Sequence, residues 1–286
     1  MKIGAMVESF QLGLDGGLKA AAEVGAQGVQ LYATAGETHP DHLDAAGRKQ
    51  LLAKVKDLGL EFAAICGDFG GHGFQIAADN PKRVADSRKV MDLALELECS
   101  VVTTHIGVIP SDKSHPRYAV MAEPCAQLAE YGKGVGATFA IETGPESSQV
   151  LRAFLDDIDA GTGLGVNFDP ANLVMVINED IPQAVRNLAP YIVHTHAKDG
   201  RQLKPVDAEK LYESFAVGGI EGFNFGEFIM EDPLGQGHVP WDAYLEALTA
   251  VGFDGYLTIE REVGANPRAD IELAVNFLKD LLATKG

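Results

Sequence analysis

The sequence is poor in cysteine, in basic residues and in long apolar runs. Only three of its 286 residues are cysteines, and the scattered spacing of Cys66, Cys99 and Cys125 argues against a disulfide framework or a zinc knuckle. A reduced, cytoplasmic location is therefore expected. Lysine and arginine number 23 against 41 acidic residues, for a net charge of −18. Such a surface repels a phosphate backbone, so we expect no nucleic acid as a partner.

No stretch has the length and apolar composition of a membrane span, and the first residues lack the apolar core of a signal peptide. We therefore expect no membrane as a partner. Low-complexity and Ser/Pro-rich stretches, which are typical of linkers, are also absent. With 46% hydrophobic residues the chain can bury a large core, and residues 1–286 are predicted to form a single domain.

An amphipathic helix, a turn and a short β-rich run recur along the chain. Strand candidates stand near residues 2–7, 28–33, 61–66, 100–105, 138–142, 165–169, 191–197 and 255–260. Strict alternation implies parallel strands joined by helices, and eight such units close a (β/α)8 TIM barrel, an α/β fold. An open doubly wound sheet is the alternative, but its G-x-G-x-x-G turn is absent after the first strand, where MVESFQLG stands instead. Pro124 is expected to start or kink its helix.

The last four strand candidates each end in a titratable side chain. In a barrel these ends share one rim, so we expect Glu142, Asp169, His196 and Glu260 to meet there. Three carboxylates repel one another unless protons or a cation neutralise them, and this donor set suits one divalent metal ion: Mn²⁺, Mg²⁺, Co²⁺ or Zn²⁺. Taken singly, each residue is more often a satisfied polar group at a strand end. His194, on the same strand face as His196, is predicted to pack deeper and to orient its neighbours.

Five segments together resemble the sugar phosphate isomerase/epimerase family of the xylose isomerase-like TIM barrel superfamily. They are FAIET (139–143), NFDPANL (167–173), HTHAKD (194–199), LGQGHVPW (234–241) and GYLTIERE (255–262). The resemblance covers nearly the whole chain. It implies that Glu142, Asp169, His196 and Glu260 bind a single metal ion, and that the two glutamates are the catalytic acid/base pair. It also implies a small-molecule carbohydrate substrate, and it leaves a homo-oligomer, either a dimer or a tetramer, open.

The sequence departs from the family pattern at two places. Asn172 stands where a histidine is frequent in D-x-x-H; it can bind a sugar hydroxyl but is a poor metal ligand. The D-x-H motif of the related abasic-site endonucleases is replaced by Ile229, Met230 and Glu231. The three-zinc site of those enzymes is therefore not expected, and DNA repair is disfavoured.

Further residues are candidates for binding the substrate, because they stand near predicted strand ends or in the loops that follow. Each has a structural alternative, either an ion pair with a neighbouring carboxylate or an exposed loop position. Glu262, two residues beyond Glu260 on the same face, is an alternative for the role of Glu260. The segment 218–228 is a candidate lid. The substrate-binding candidates are Glu8, His72, His105, Asn172, Lys198 and Arg201.

The resemblance implies an isomerase or epimerase that removes a proton α to a carbonyl and passes through a metal-stabilised enediolate. An inosose-dehydratase-like lyase would use the same metal and the same proton abstraction but expel water. A non-catalytic sugar-binding barrel is the third reading, and the complete Glu/Asp/His/Glu set argues against it. The sequence contains no strong phosphate-binding loop, so a phosphorylated substrate is not assumed.

Overall fold

The computed structural model describes residues 1–159 and 161–284, and its central feature is a closed barrel of eight parallel strands. The barrel strands are β1 (Lys2–Met6), β2 (Gly28–Tyr32), β3 (Glu61–Cys66), β4 (Val101–Thr104), β5 (Thr138–Glu142), β6 (Leu164–Phe168), β7 (Ile192–Ala197) and β10 (Tyr256–Ile259). Pairing of β1 with β10 closes the ring. The predicted (β/α)8 TIM barrel is confirmed, and every strand candidate overlaps an observed strand.

At least one helix follows each barrel strand, as the predicted alternation of strands and helices requires. The helices are α1 (Gly13–Val24), α2 (Ala45–Asp57), α3 (Asn80–Glu96), α4 (Pro116–Val135), α5 (Ser148–Ile158), α6 (Pro170–Ile177), α7 (Ile181–Leu188), α8 (Ala208–Ala216), α9 (Trp241–Ala250) and α10 (Pro267–Ala283). Several begin at an Asp or Ser whose side chain accepts a backbone N–H. The sequence predicts that Pro124 either starts or kinks its helix, and the first alternative is wrong: α4 begins at Pro116 and runs through Pro124.

The sequence did not predict the elements between β7 and α9. Residues Asp199–Gln202 form β8 and Ile229–Asp232 form β9, which pair as an antiparallel hairpin outside the barrel. The connecting segment contains α8 and a short 3₁₀ helix at Phe225–Glu227. The hairpin was missed because Arg201, Met230 and Glu231 do not form an apolar alternation. The two ends of the segment lie together, since Leu203 N donates to Phe228 O at 2.6 Å.

The core consists of side chains from the strands and from the inward faces of the helices, as in Leu31 on β2, Phe139 on β5 and Leu278 on α10. Burial of these side chains is the main force that holds the helices on the barrel. The three cysteines are buried and free, as their spacing predicts. None of the helices in the described part of the chain combines the length and apolar composition needed to cross a membrane.

Candidate metal centre

Four titratable side chains converge at the carboxyl ends of neighbouring strands. Glu142 ends β5, Asp169 follows β6, His196 lies in β7 and Glu260 follows β10. All four are buried, and one ligand atom from each lies within 4.8 Å of the others. His196 Nδ1 is 3.5 Å from Glu142 Oε1, 3.6 Å from Asp169 Oδ2 and 3.4 Å from Glu260 Oε2. The arrangement is one that could hold a metal ion.

Two of these atoms also lack the hydrogen bonds that buried polar atoms require. Asp169 Oδ2 and His196 Nδ1 have no hydrogen-bond partner among the described residues. Leaving a buried polar atom unpaired is costly, so such a pair of atoms indicates a missing partner. Ligand atoms about 2.1 Å from a cation lie roughly 3.0–3.4 Å from one another. The distances around His196 Nδ1 are close to this range, so these residues fit a single divalent ion.

Asp169 has two separate roles, one for each of its carboxylate oxygens. Its Oδ1 caps α6 by accepting from Ala171 N at 2.8 Å and from Asn172 N at 3.1 Å. Its Oδ2 is the unpaired atom that faces the centre of the cluster. The helix cap therefore fixes the direction in which the second oxygen points.

We expect the Asp169→Asn variant to lower affinity for Mn²⁺ about 100-fold while the fold survives. Asparagine can still cap α6 through its oxygen, but an amide N–H₂ replaces the oxygen that faces the ion. Calorimetric titration with Mn²⁺ and thermal unfolding of the metal-free protein measure the two effects. The matched control is Asp180→Asn, at the Asp that caps α7 through Gln183 N. Equal Mn²⁺ affinity in both variants would contradict the assignment.

His196 is oriented by a hydrogen bond at Nε2, the ring nitrogen that faces away from the cluster. A neutral imidazole that offers Nδ1 to a cation carries its proton on Nε2, which lies 3.3 Å from Gln30 Oε1. The same amide oxygen is 2.9 Å from His194 Nε2. His194 is buried inside the barrel, as the sequence predicts, and its ring lies edge-on to that of His196. Burial holds the pKa of His194 well below its usual value, so this ring is neutral.

Lys198 supplies the positive charge beside Glu260. Its Nζ donates to Glu260 Oε2 at 3.0 Å and to Glu262 Oε2 at 2.5 Å. Burial lowers the pKa of Lys198, but the carboxylates of Glu260 and Glu262 outweigh it and hold the pKa well above the usual value. Burial raises the pKa of Glu260, but the ammonium group of Lys198 outweighs it and holds the pKa well below its usual value. Glu260 is therefore ionised, and the cluster contains Glu260 rather than Glu262.

Glu142 is held by two amides and faces a histidine. Asn172 Nδ2 donates to Glu142 Oε1 at 3.0 Å, and Asn167 Nδ2 donates to Oε2 at 3.0 Å. His105 Nε2 lies 3.5 Å from Oε1, while its Nδ1 is 3.1 Å from Asp68 Oδ2. Burial lowers the pKa of His105, but the carboxylates of Glu142 and Asp68 outweigh it and raise the pKa to about 10. A charged imidazole thus stands at the edge of the cluster.

Three residues of the cluster, Glu142, His196 and Glu260, line the buried end of a cavity of about 790 Å³, which we call its floor. Of the substrate-binding candidates, His105, Asn172 and Lys198 line this cavity together with Glu142, His196 and Glu260. A volume of this size is within the range of pockets for small organic ligands, about 300–1,000 Å³.

The other three candidates lie outside the lining of that cavity. Arg201 is on β8, where its Nε donates to Asp232 Oδ2 at 2.7 Å across the hairpin. His72 Nε2 is 3.1 Å from Glu213 Oε2 and lines a smaller cavity of about 210 Å³. Glu8 is exposed, and its Oε1 accepts from the backbone N–H of Tyr32 at 3.0 Å. The side chains of these residues already have partners in the protein.

Sequence reasoning missed four residues around the site: Gln30, Asp68, Asn167 and Tyr212. Gln30 and Asn167 stand in the otherwise apolar strands GVQLY and GVNF, and a buried amide in such a strand is a usable signal. The sequence contains no comparable signal for Tyr212, because this residue lies on α8 in the segment that was not predicted. Its hydroxyl takes the space above Gly144, where an added Cβ would lie 2.0 Å from the oxygen. Any residue larger than glycine at position 144 would require the side chain of Tyr212 to move.

Asp199 joins two of the sequence motifs into one unit. It stands two residues after the end of β7 and accepts four hydrogen bonds with its two oxygens: from Gly200 N and Val239 N at Oδ1, and from Gly235 N and Trp241 Nε1 at Oδ2. A Cβ at Gly237 would lie 2.1 Å from Oδ1. The HTHAKD and LGQGHVPW segments therefore specify one loop, which is folded around a single buried carboxylate.

A second buried carboxyl lies in the loop after β5. Burial raises the pKa of Glu146 to about 8, and its Oε2 accepts only a long bond of 3.4 Å from Ile109 N. The folded chain therefore keeps a proton that the unfolded chain releases above about pH 4.5. By this linkage, the contribution of Glu146 to the free energy of unfolding falls as the pH rises from about 4.5 to about 8.

We expect the free energy of unfolding of the Glu146→Gln variant to rise by about 2–4 kcal/mol relative to that of the wild type between pH 4.5 and pH 8.5, because glutamine cannot ionise. Urea unfolding at the two pH values measures the difference. Glu130→Gln, at an exposed glutamate of α4, is the control and should show no such gain. Parallel pH profiles for the two variants would contradict the prediction.

Comparisons with known proteins agree with this architecture. A family model described as a xylose isomerase-like TIM barrel matches residues 18–281. The crystal structure of a xylose isomerase domain protein from Planctomyces limnophilus is 26% identical, with 98% of this chain and 96% of that chain covered and a TM-score of 0.78. No curated protein sequence matches.

Two solved structures with lower identity show the same fold. A probable 3-DHS dehydratase from Bacillus anthracis is 21% identical, covers 98% of this chain and 99% of its own, and has a TM-score of 0.74. A D-psicose 3-epimerase from Clostridium cellulolyticum H10 is 14% identical over 99% of each chain, also with a TM-score of 0.74. Since the family model spans nearly the whole barrel, including all four residues of the cluster, this chain belongs to the xylose isomerase-like TIM barrel family.

Proposed function

We propose that this protein is a divalent-metal-dependent isomerase or epimerase of a sugar or keto-sugar derivative. The observation that carries the proposal is the buried cluster of Glu142, Asp169, His196 and Glu260, with its two unpaired atoms, on the floor of a large cavity. A cation bound there would polarise a substrate carbonyl and stabilise the negative charge that develops next to it. Relatives of the same fold include D-psicose 3-epimerases and a probable dehydratase.

The two glutamates are the proton-transfer groups of the proposed reaction. Glu142 and Glu260 come from strands that β6 and β7 separate in the barrel, so they approach the substrate from different sides. In an epimerisation, one glutamate as the carboxylate removes the proton α to the carbonyl and becomes protonated, and the other as the carboxylic acid donates its proton to the opposite face of that carbon. In an isomerisation, the first carboxylate returns the proton to the neighbouring carbon.

The residues around the glutamates set their protonation and position. Lys198 keeps Glu260 ionised, as a base requires. The amides of Asn167 and Asn172 hold Glu142, and His105 offers a positively charged N–H at the cavity wall for a substrate oxygen. The cavity excludes water from the reacting carbon once the substrate fills it, and this strengthens each of these interactions.

Solvent-deuterium exchange tests the proposal. Protein reconstituted with Mn²⁺, Mg²⁺, Co²⁺ or Zn²⁺ is incubated in D₂O with a panel of ketoses and 3-keto-sugars, and NMR follows deuterium at the carbon α to the carbonyl. We expect label to enter one substrate only when metal is present, without loss of water. The chelator-treated protein is the control.

Two other outcomes would overturn the proposal. Loss of water with a new enone absorbance would identify a lyase that uses the same site. Tight sugar binding that survives metal removal, without any exchange, would identify a binding protein.

A further inference from the structure

The wall of the cavity changes character between its floor and its mouth. The floor carries the metal-site carboxylates and amides, whereas apolar side chains line the mouth. These apolar side chains come from four separate segments: Phe215 on α8, Phe225 in the 3₁₀ helix, Met230 on β9 and Val263 in the loop before α10. Phe215 and Phe225 are each 47% exposed. Clustered exposed apolar side chains at the mouth of a pocket indicate a binding surface.

Three aromatic rings form a continuous track from the metal centre to this mouth. The ring of Tyr212 is 6.3 Å from that of His105, which contacts Glu142. The ring of Phe215 is 5.7 Å from Tyr212, and the ring of Phe225 is 5.4 Å from Phe215. We call Tyr212, Phe215 and Phe225 the aromatic track. A ligand whose polar end sits at the metal centre would place any substituent along it.

The charge of the cavity argues against an anionic substituent. Among the described residues that line it, Lys198 is the only lysine or arginine, and Glu260 and Glu262 already neutralise it. Asp68 and Glu231 also line the wall, and they are paired with His105 and Arg261. The charged ring of His105 also lines the cavity, but it already faces Asp68 and Glu142. A phosphate group would therefore meet no cationic side chain that lacks a carboxylate partner. The substituent that this wall fits is neutral.

We propose that the substrate is a sugar or keto-sugar derivative that carries a neutral, planar apolar substituent such as an aryl group, rather than a free sugar or a sugar phosphate. This inference rests on the proposed function for the position of the polar end. The sugar part binds at the metal centre, and the aryl part stacks along the aromatic track against Met230 and Val263. The cavity is far larger than a single monosaccharide needs, and a planar ring is the shape that stacks on aromatic side chains.

Matched pairs of methyl and phenyl glycosides of glucose, galactose, mannose and xylose test the inference by calorimetry on the Mn²⁺-loaded protein. We expect the phenyl glycoside of at least one sugar to bind roughly tenfold more tightly than its methyl twin. In the double variant Phe215→Ser, Phe225→Ser this ratio should fall to about two, with the methyl glycoside unaffected. The control is Leu273→Ser, at an exposed leucine of α10, which should keep the wild-type ratio.

Three results would overturn the inference. The first is that no phenyl glycoside binds more tightly than its methyl twin. The second is that the double variant keeps the wild-type ratio. The third is that sedimentation shows a wild-type oligomer that the double variant abolishes, because the apolar mouth would then be a subunit contact.

Repeating the titrations after chelator treatment separates this inference from the proposed function. If the metal proposal fails, metal removal leaves the affinity for both glycosides unchanged, while the phenyl-to-methyl ratio still reports on the aromatic track. If the metal proposal holds and the substituent proposal fails, both affinities depend on the metal and the ratio is close to one.

Discussion

The Glu260→Gln variant is expected to lose exchange of the substrate α-proton by about 10³-fold at saturating Mn²⁺, because an amide cannot accept that proton. Glutamine keeps the size of the side chain and an oxygen that can face a cation, and Lys198 retains its bond to Glu262. The loss should therefore appear mainly in kcat. Deuterium exchange followed by NMR measures the rate, and calorimetric titration with Mn²⁺ establishes saturation.

Glu262→Gln is the matched control for this variant. Both glutamates accept a hydrogen bond from Lys198, but Glu262 is 60% exposed and is not part of the metal-site cluster. We expect its variant to exchange the proton within about threefold of the wild-type rate, as solvent-exposed ion pairs contribute little. A loss of about 10³-fold in Glu262→Gln, with the wild-type rate kept in Glu260→Gln, would assign the proton transfer to Glu262 instead. Retention of the wild-type rate in Glu260→Gln with bound Mn²⁺ would exclude Glu260 as a proton-transfer group.

The Asp199→Asn variant is expected to reduce the free energy of unfolding by about 3–5 kcal/mol. Each oxygen of Asp199 accepts hydrogen bonds from two N–H groups, but asparagine has only one oxygen. Two of the four N–H groups would therefore face the N–H₂ group of the amide. Two buried donors would lose their partners, and one charge that strengthens all four bonds would disappear. Such a change is a large part of the total stability of a typical protein, about 5–15 kcal/mol.

Urea unfolding of the metal-free protein measures this loss without any contribution from a bound ion. Asp207→Asn is the control, at the aspartate that caps α8 by accepting from Glu209 N. Asparagine caps helices as well as aspartate does, so this variant should stay within about 0.5 kcal/mol of the wild type. A loss below 1 kcal/mol in Asp199→Asn would show that the loop around the carboxylate has rearranged.

The sequence was sufficient to predict the barrel because its strands and helices follow strict hydrophobic patterns. The same patterns located the strand ends, and from these the meeting of Glu142, Asp169, His196 and Glu260 followed from topology alone. Asp169 and Glu260 stand one residue beyond β6 and β10, which changes nothing in their direction toward the rim. Parallel strands of a closed barrel deliver their ends to one place, whatever the sequence of the connecting helices.

Prediction failed where the surroundings of a side chain depend on contacts that are distant in sequence. Tyr212 lies on the amphipathic helix α8, but its position beside Gly144 and His105 follows from tertiary packing. The environments of Arg201 and His72 depend on Asp232 and Glu213, which are distant in sequence. Local sequence shows that such a side chain is charged, but only the tertiary structure shows where its partner lies.

The hairpin of β8 and β9 separates two tasks of the protein. The proposed proton-transfer and metal-binding groups stand on or directly after barrel strands, whereas Tyr212, Phe215 and Phe225 stand between the two strands of the hairpin. A backbone hydrogen bond from Leu203 to Phe228 joins the two ends of the segment between β8 and β9. This segment can therefore change in length or composition without moving the barrel. Its ligand preference can therefore diverge in evolution, or be exchanged by grafting, while the reaction chemistry stays intact.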